Sequence, residues 1–322
     1  MSLFDSLREA SGPGVAVEVA SDHVSAASLD LRGNAPAVTM HATEPLPPGA
    51  LVPSLTSANV HNRQVVATAI ERVLERTGNP RRVGLVVPDL VAKVSLVRFE
   101  HVPTRTADLD QVVRWQVRKT APFPIEDAQV SYVRGLKAAD GQEFVVSLAR
   151  RSVIEEYEGL CAAAGAHAGI VDLATFNVIN AALAAAPPTS AESDWLLVNV
   201  AADYASIAIL RGAHLIFFRN RANDGEGTLA DVVHQTAMYY EDRLQGAGFA
   251  RAFLTGAAGA NARQSADADE LRRSLQDRLQ RPVETIDASR AAALTDRISA
   301  SPALLDTLAP LVGLLVRGRE AA

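Results

Sequence analysis

Apolar positions along this chain fall into alternating blocks of two periods. Val15, Val17 and Val19 recur at every second residue, the spacing of a strand with one buried face. A turn at Ser21-Asp22-His23 follows, then a second strand over 24–31 and a turn at Arg32-Gly33-Asn34. Pro45, Pro47, Pro48 and Pro53 mark a loop. Val65, Val66, Ala69, Ile70 and Val73 then return at three- and four-residue spacing. That predicts an amphipathic helix over 62–77, stopped by Gly78-Asn79-Pro80. Residues 82–87 are an apolar run of the length of a buried strand.

From 93 to 165 the pattern becomes strand (94–99), helix (106–120), two strands (128–135 and 143–150) and helix (153–164). It reads as an α+β unit inserted into a first lobe, which resumes with a strand at 169–172 and a helix to about residue 186. Pro187-Pro188-Thr189-Ser190 is a linker signal. Beyond it, strands at 195–200, 204–210 and 214–219 repeat the opening layout. Helices at 229–244 and 266–279 flank a buried strand at 251–255. The expected division is 1–92 with 166–188 as the first lobe, 93–165 as the insert and 189–322 as the second lobe. Two lobes of similar layout imply a binding cleft between them.

Composition narrows the chemistry. The 322 residues are 48% hydrophobic and 21% charged, a globular chain long enough for two cores. A formal charge of −6 argues against a nucleic-acid partner. Cys161 stands alone, so no disulfide framework or cysteine-built metal site is available, and its apolar neighbours make it a buried hydrophobe. His23, His41, His61, His101, His167, His214 and His234 have no metal-ligand spacing. There is no Walker loop, nucleophile elbow or His-Glu-x-x-His. The first ten residues do not read as a secretory signal, and no run reaches the roughly 18 apolar residues of a membrane helix. The best candidate, 303–316, is interrupted by Asp306 and Pro310. A cytoplasmic address is expected, with the membrane reached through a partner or a surface helix. Arg114, Arg118 and Lys119 form a basic stripe on the 106–120 helix, read as a solvated face or as a rim for a peptide. Trp115, Tyr239 and Tyr240 are expected in the core.

Several segments carry more specific information. Glu18-Val19-Ala20-Ser21 is followed by Val24-Ser25. The helix at 111–120 runs into Pro122-Phe123-Pro124-Ile125-Glu126-Asp127. Val171-Asp172 precedes the helix at 176–185, and Leu197-Val198-Asn199-Val200-Ala201 forms a strand. Arg219 precedes Gly225-Glu226-Gly227-Thr228. Leu254-Thr255-Gly256-Ala257-Ala258-Gly259 and Pro310-Leu311-Val312-Gly313-Leu314 complete the series. In this order they resemble the actin-like superfamily, and within it the PilM family of type IV pilus assembly proteins, nearly end to end. The resemblance implies an α/β, actin-like (ribonuclease H-like) two-lobed fold with an α+β subdomain inserted in the first lobe.

It also implies a nucleotide cleft whose motifs are degenerate here. Glu18, Ala20, Ser25, Asn199, Ala201 and Ala205 stand where the family has Asp, Gly, Lys, Asp, Gly and Thr. Longer or bulkier groups obstruct the phosphate turns, and a lysine and a metal-ordering carboxylate are lost. Scarce lysine (Lys93, Lys119 and Lys137 only) fits that loss. The remnant cleft is expected at Ser21, Asp22, Asp203, Gly225, Gly227, Thr228, Gly256 and Gly259. It would have no catalytic residue and no metal site, and neither hydrolysis nor a bound cofactor is expected. Weak ATP and Mg²⁺ binding stays open, with Asp22 or Asp203 as substitute carboxylates. The partner implied is the cytoplasmic N-terminal segment of a PilN-like inner-membrane protein. Its groove would lie between the first lobe and the insert, walled by 83–88, 94–99 and 153–164. Other pilus motor or alignment components and self-association are further partners the resemblance allows. An active ATPase of this fold and an FtsA-like division tether are the alternatives.

Overall fold

Three sheets carry the structure, a computed structural model that describes residues 13–30, 35–138, 140–186, 190, 192–223, 227–258, 262–295 and 298–317. The first sheet contains β1 (Val15–Val19), β2 (His23–Asp30), β3 (Ala37–Pro45), β4 (Arg82–Val87), β8 (His167–Leu173) and β13 (Ala293–Leu294). Their order is β13-β3-β2-β1-β4-β8. β1 runs antiparallel to β2 and parallel to β4, and β4 runs parallel to β8. Alternation along β1 assigns the two faces. Val15, Val17 and Val19 point to α1 (Arg63–Arg76) and α3 (Arg151–Ala163), whereas Ala16 points to α4 (Ala174–Ala185) and α7 (Pro302–Val316).

Local chemistry sets the ends of α1. The Asn62 carboxamide oxygen accepts from the Val65 amide at 3.2 Å, and Gly78 leaves the helix at φ +95°. β3 is not among the strands expected above. Val38, Met40 and Ala42 alternate with Thr39, His41 and Thr43, but only Val38 and Ala42 are buried and Met40 faces outward.

The inserted sheet, in the order β5-β7-β6, is built from β5 (Ala92–Phe99), β6 (Ala128–Ala138) and β7 (Gly141–Arg150). Helix α2 (Thr106–Arg118) covers one face, burying Leu109, Val113 and Val117 against Phe144, Val146 and Leu148. Trp115 was expected inside but is 60% exposed, with the Lys119 ammonium 5.3 Å from its ring centre. The buried stripe steps by four residues, and position 115 falls two off it, on the far side of the helix.

The second lobe has β9 (Asp194–Val200), β10 (Tyr204–Arg211), β11 (His214–Ala222) and β12 (Arg251–Thr255) in the order β11-β10-β9-β12. α5 (Leu229–Leu244) and α6 (Ala262–Leu279) flank it, with α5 residues and Leu275 of α6 packing on one sheet face. Tyr240 is buried, its hydroxyl 2.7 Å from Asp194, but Tyr239 is 47% exposed and packs with its ring tilted against Phe217.

Packing moves two segments relative to the division read from the sequence. Helix α3 buries Val153, Tyr157, Leu160 and Cys161 with α1 and β4, so it belongs to the first lobe and not to the insert. β13 and α7 also return to the first lobe. β13 pairs with β3, and α7 packs on α4, β1 and β2. Helix α7 is apolar on every side from Leu308 to Val316, and a helix of that kind must be enclosed.

Candidate functional site

The first strand of each lobe ends in a turn that faces the gap between the lobes. After β1, the Ala20 amide donates to the His23 carbonyl at 2.9 Å. After β9, the Ala201 amide donates to the Tyr204 carbonyl at 2.8 Å. Each turn therefore satisfies an amide internally that an anion cradle would leave pointing outward. Neither turn has a residue at positive φ among the described residues.

A half-buried imidazole occupies the first turn. His23 Nδ1 lies 2.7 Å from the Asp22 carboxylate, and Nε2 lies 3.8 Å from Glu18, beyond hydrogen-bond reach. Burial on its own would lower the His23 pKa, but Asp22 and Glu18 outweigh it and carry it up to about 10. For Asp22, burial pushes upward, yet the bond and charge of His23 hold its carboxyl below the usual range. Ser25, where the resemblance implies a lysine, donates to Glu18 at 3.3 Å. His23, bonded to Asp22 and facing Glu18, is the basic side chain of this turn.

The third turn, after β12, is filled from within. Gly256 sits at φ +75°, and a Cβ there would lie 2.0 Å from the Val200 carbonyl oxygen, so the turn is pressed against the end of β9. Asp306 of α7 reaches over it. Its carboxylate accepts from the Thr255 hydroxyl at 3.1 Å and from the Ala258 amide at 3.0 Å, with the Gly256 amide also bonded to it. Burial raises its pKa and these bonds offset part of the rise. The amides that could hold a ligand's anion already hold one supplied by the chain.

Ser21, Asp22 and Gly256 line the resulting cavity of about 210 Å³, together with Glu18, His23 and Asp306. That is smaller than the roughly 300–1,000 Å³ of common ligand pockets. Asp203, Gly227 and Thr228 are not in its lining. The Asp203 carbonyl accepts from the Asn223 amide at 2.8 Å. Gly227 accepts from the Arg221 guanidinium at 2.5 Å, and Thr228 caps α5 in a reciprocal pair with Asp231. Gly225 and Gly259 lie outside the described residues. Among the described residues no group of three or more His, Cys, Asp or Glu side chains is placed to hold a metal.

Asp89, which no motif in the sequence marks, follows β4 in a short 3-10 turn, Asp89–Val91. Fully buried, its carboxylate accepts from the Thr175 amide at 3.0 Å, from the Thr175 hydroxyl and from Ser206 Oγ at 2.6 Å. The Asp89 amide donates to the Tyr204 hydroxyl, and its carbonyl accepts from Asn220 at 3.0 Å. Asn199 completes the cluster by donating to Thr175 Oγ1 at 2.8 Å. Burial lifts the Asp89 pKa to about 6 against the pull of these donors. An acid set in an otherwise apolar run, Val86-Val87-Pro88-Asp89-Leu90-Val91, was the available signal.

A second concavity runs beneath the inserted sheet. Near α3 it has a volume of about 360 Å³ between Val87, Leu173, Ala149 and Ile154. It continues past Ser131, Ser147, Val171 and Asp172 into about 600 Å³ bounded by Val133, Phe176, Ile179 and Leu215. Of the walls expected for a partner groove, Val87 and α3 contribute. The role expected of 94–99 falls to β6 and β7, because the order β5-β7-β6 sets β5 at the opposite edge. Asp172 and Arg317 form an ion pair at the junction.

With this geometry in hand, the model of the family described as type IV pilus assembly protein PilM matches residues 16–247. A solved PilM-PilN type IV pilus biogenesis complex is similar to the chain at TM-score 0.79 and 18% identity, covering 95% of this chain and 98% of that one. A Bacteroides thetaiotaomicron protein with an actin-like ATPase fold and unknown function matches at TM-score 0.48 and 11% identity, over 88% and 93% of the two chains. The paired lobes have the actin-like architecture the resemblance implied. With the family match spanning well over half its length and the fold agreeing, the chain belongs to the PilM family of type IV pilus assembly proteins.

Proposed function

We propose that this protein is an actin-like scaffold of a type IV pilus assembly machine that works without hydrolysing ATP. It binds the short cytoplasmic N-terminal segment of a PilN-like inner-membrane protein, and that partner brings it to the membrane from the cytoplasmic side. None of the described helices is long and apolar enough to cross a membrane, which fits attachment through a partner. The observation that carries the reading is the continuous groove between α3, β8 and the inserted sheet, lined by Val171, Phe176 and Ile179 and open enough for an extended segment. The internally satisfied turns and the Asp306 carboxylate over the third turn support a scaffold over a motor.

Titration calorimetry with a synthetic peptide of the PilN-like N-terminus tests the partner. Saturable binding that Ile154→Arg abolishes is the expected outcome, and no binding sinks the reading. A thermal-shift series with ATP and Mg²⁺, followed by a phosphate-release assay, tests the cleft. Sustained phosphate release would replace the scaffold with an active ATPase.

A further inference from the structure

The free edge of β6 runs along the whole groove. In the order β5-β7-β6 this strand pairs, among the described residues, only with β7, while β11 packs near it, and Gln129, Ser131, Val133 and Gly135 lie along the two parts of the concavity. Val133 is 64% exposed although it stands mid-strand, between Val130 and Leu136. A long edge strand with an exposed apolar side chain is a template for another strand. Opposite β6, the groove floor is apolar at Val171, Phe176 and Ile179. Small side chains, Ser131, Ser147 and Ala149, leave room beneath the sheet.

Charge is unevenly distributed along this path. At the α3 end, Glu155 and Glu158 are exposed one turn apart and both line the groove, with Arg151 the only cation among its neighbours there. Beyond the junction, where Arg317 pairs with Asp172, the charged side chain along β6 is Arg134. A segment in the groove therefore meets acid at one end and base at the other.

We infer that the partner segment enters as an added strand on the β6 edge, apolar at its centre, with a basic residue against Glu155 and Glu158. This rests on the reading that the groove is the partner's seat. It adds the backbone mode and the charge order that select the segment. Main-chain bonds to β6 would supply affinity, while the acidic end would fix direction and register.

The test uses the full chain and the N-terminal peptide of the PilN-like protein, by fluorescence anisotropy. Two derivatives carry backbone N-methyl groups on alternate residues, in opposite phases, and a third has its basic residues changed to Gln. One N-methyl phase should abolish binding and the other leave it intact, since only every second amide of an added strand faces β6. Replacing the basic residues should weaken binding roughly tenfold, and the loss should vanish on Glu155→Gln/Glu158→Gln protein. If the native peptide binds but both phases are tolerated, or the Gln derivative binds equally well, this inference falls and the partner assignment stands. If the native peptide does not bind at all, both fall.

Discussion

Ser206 Oγ on β10 lies 2.6 Å from the carboxylate of Asp89, 117 residues earlier in the chain and in the other lobe. Together with Tyr204, Asn220, Asn199 and Thr175 it ties the end of β4 to the second sheet through a dry polar cluster. Such a cluster is costly to leave half-satisfied, because every donor around Asp89 has lost water.

Asp89→Ala should therefore lower stability by about 3 kcal/mol in urea unfolding. The pH profile is more specific. The Asp89 pKa rises from 3.8 unfolded to about 6 folded, so the folded state binds a proton more readily. Wild-type stability relative to Asp89→Asn should fall as pH rises from 3.8 to about 6 and stay level above. A flat difference curve over that window would remove Asp89 as a buried titrating group.

His23 shifts the same way, upward, but over a higher pH window. Its folded pKa, up to about 10, exceeds the ordinary 6.5, so its contribution is complete below 6.5 and is lost as pH climbs towards 10. The stability gap between wild type and His23→Gln should be constant in mild acid and shrink through the alkaline range. Thermal melts of both proteins at matched pH measure it.

Removing Asp306 exposes the third turn. Asp306→Ala should cost about 1–2 kcal/mol for the lost hydrogen bonds to the 255–258 turn. It should also give the cleft measurable affinity for pyrophosphate in calorimetry, where the wild type shows less. Equal pyrophosphate binding by both proteins would mean the carboxylate does not block that turn.

Gly313 and Asn177 mark where α7 crosses α4. A Cβ at 313 would stand 1.7 Å from the Asn177 carbonyl oxygen, a contact with backbone that no rotamer can relieve. Gly313→Ala should lower stability by about 3 kcal/mol. Chemical denaturation reads this directly, and a change under 1 kcal/mol would mean the helices part without strain.

Features legible in the sequence were those set by local pattern. β1, α1 and β4 follow from Val15-Val17-Val19, the 65–73 stripe and the 82–87 run, and the structure has each of them. β3 was legible too, in the alternation of Val38, Met40 and Ala42 with Thr39, His41 and Thr43, but the prolines that follow it made the segment read as a loop. Long-range packing hid the rest. Nothing near Tyr157 says that it sits against Asn59, and nothing near Asp306 says that it covers Ala258. In the cleft, the residues of the turns were readable one by one, whereas the bonds they make to His23 and Asp306 were not. Asp89 was missed because its partners Thr175, Ser206 and Asn220 are far away in sequence.

The return of α7 and β13 to the first lobe has a consequence for how the protein is made. The face of β1 that carries Ala16 is closed by Leu311, Val312 and Leu314. A ribosome will thus have completed the second lobe before the first can seal its own interior. During that interval Ala27, Val178 and Ile179 stay accessible to water and to chaperones. Early-made segments of this kind wait on late contacts, which slows folding and lengthens the time at risk of aggregation. Pulse proteolysis of nascent chains should find the first lobe cleavable until the 302–316 helix has left the exit tunnel.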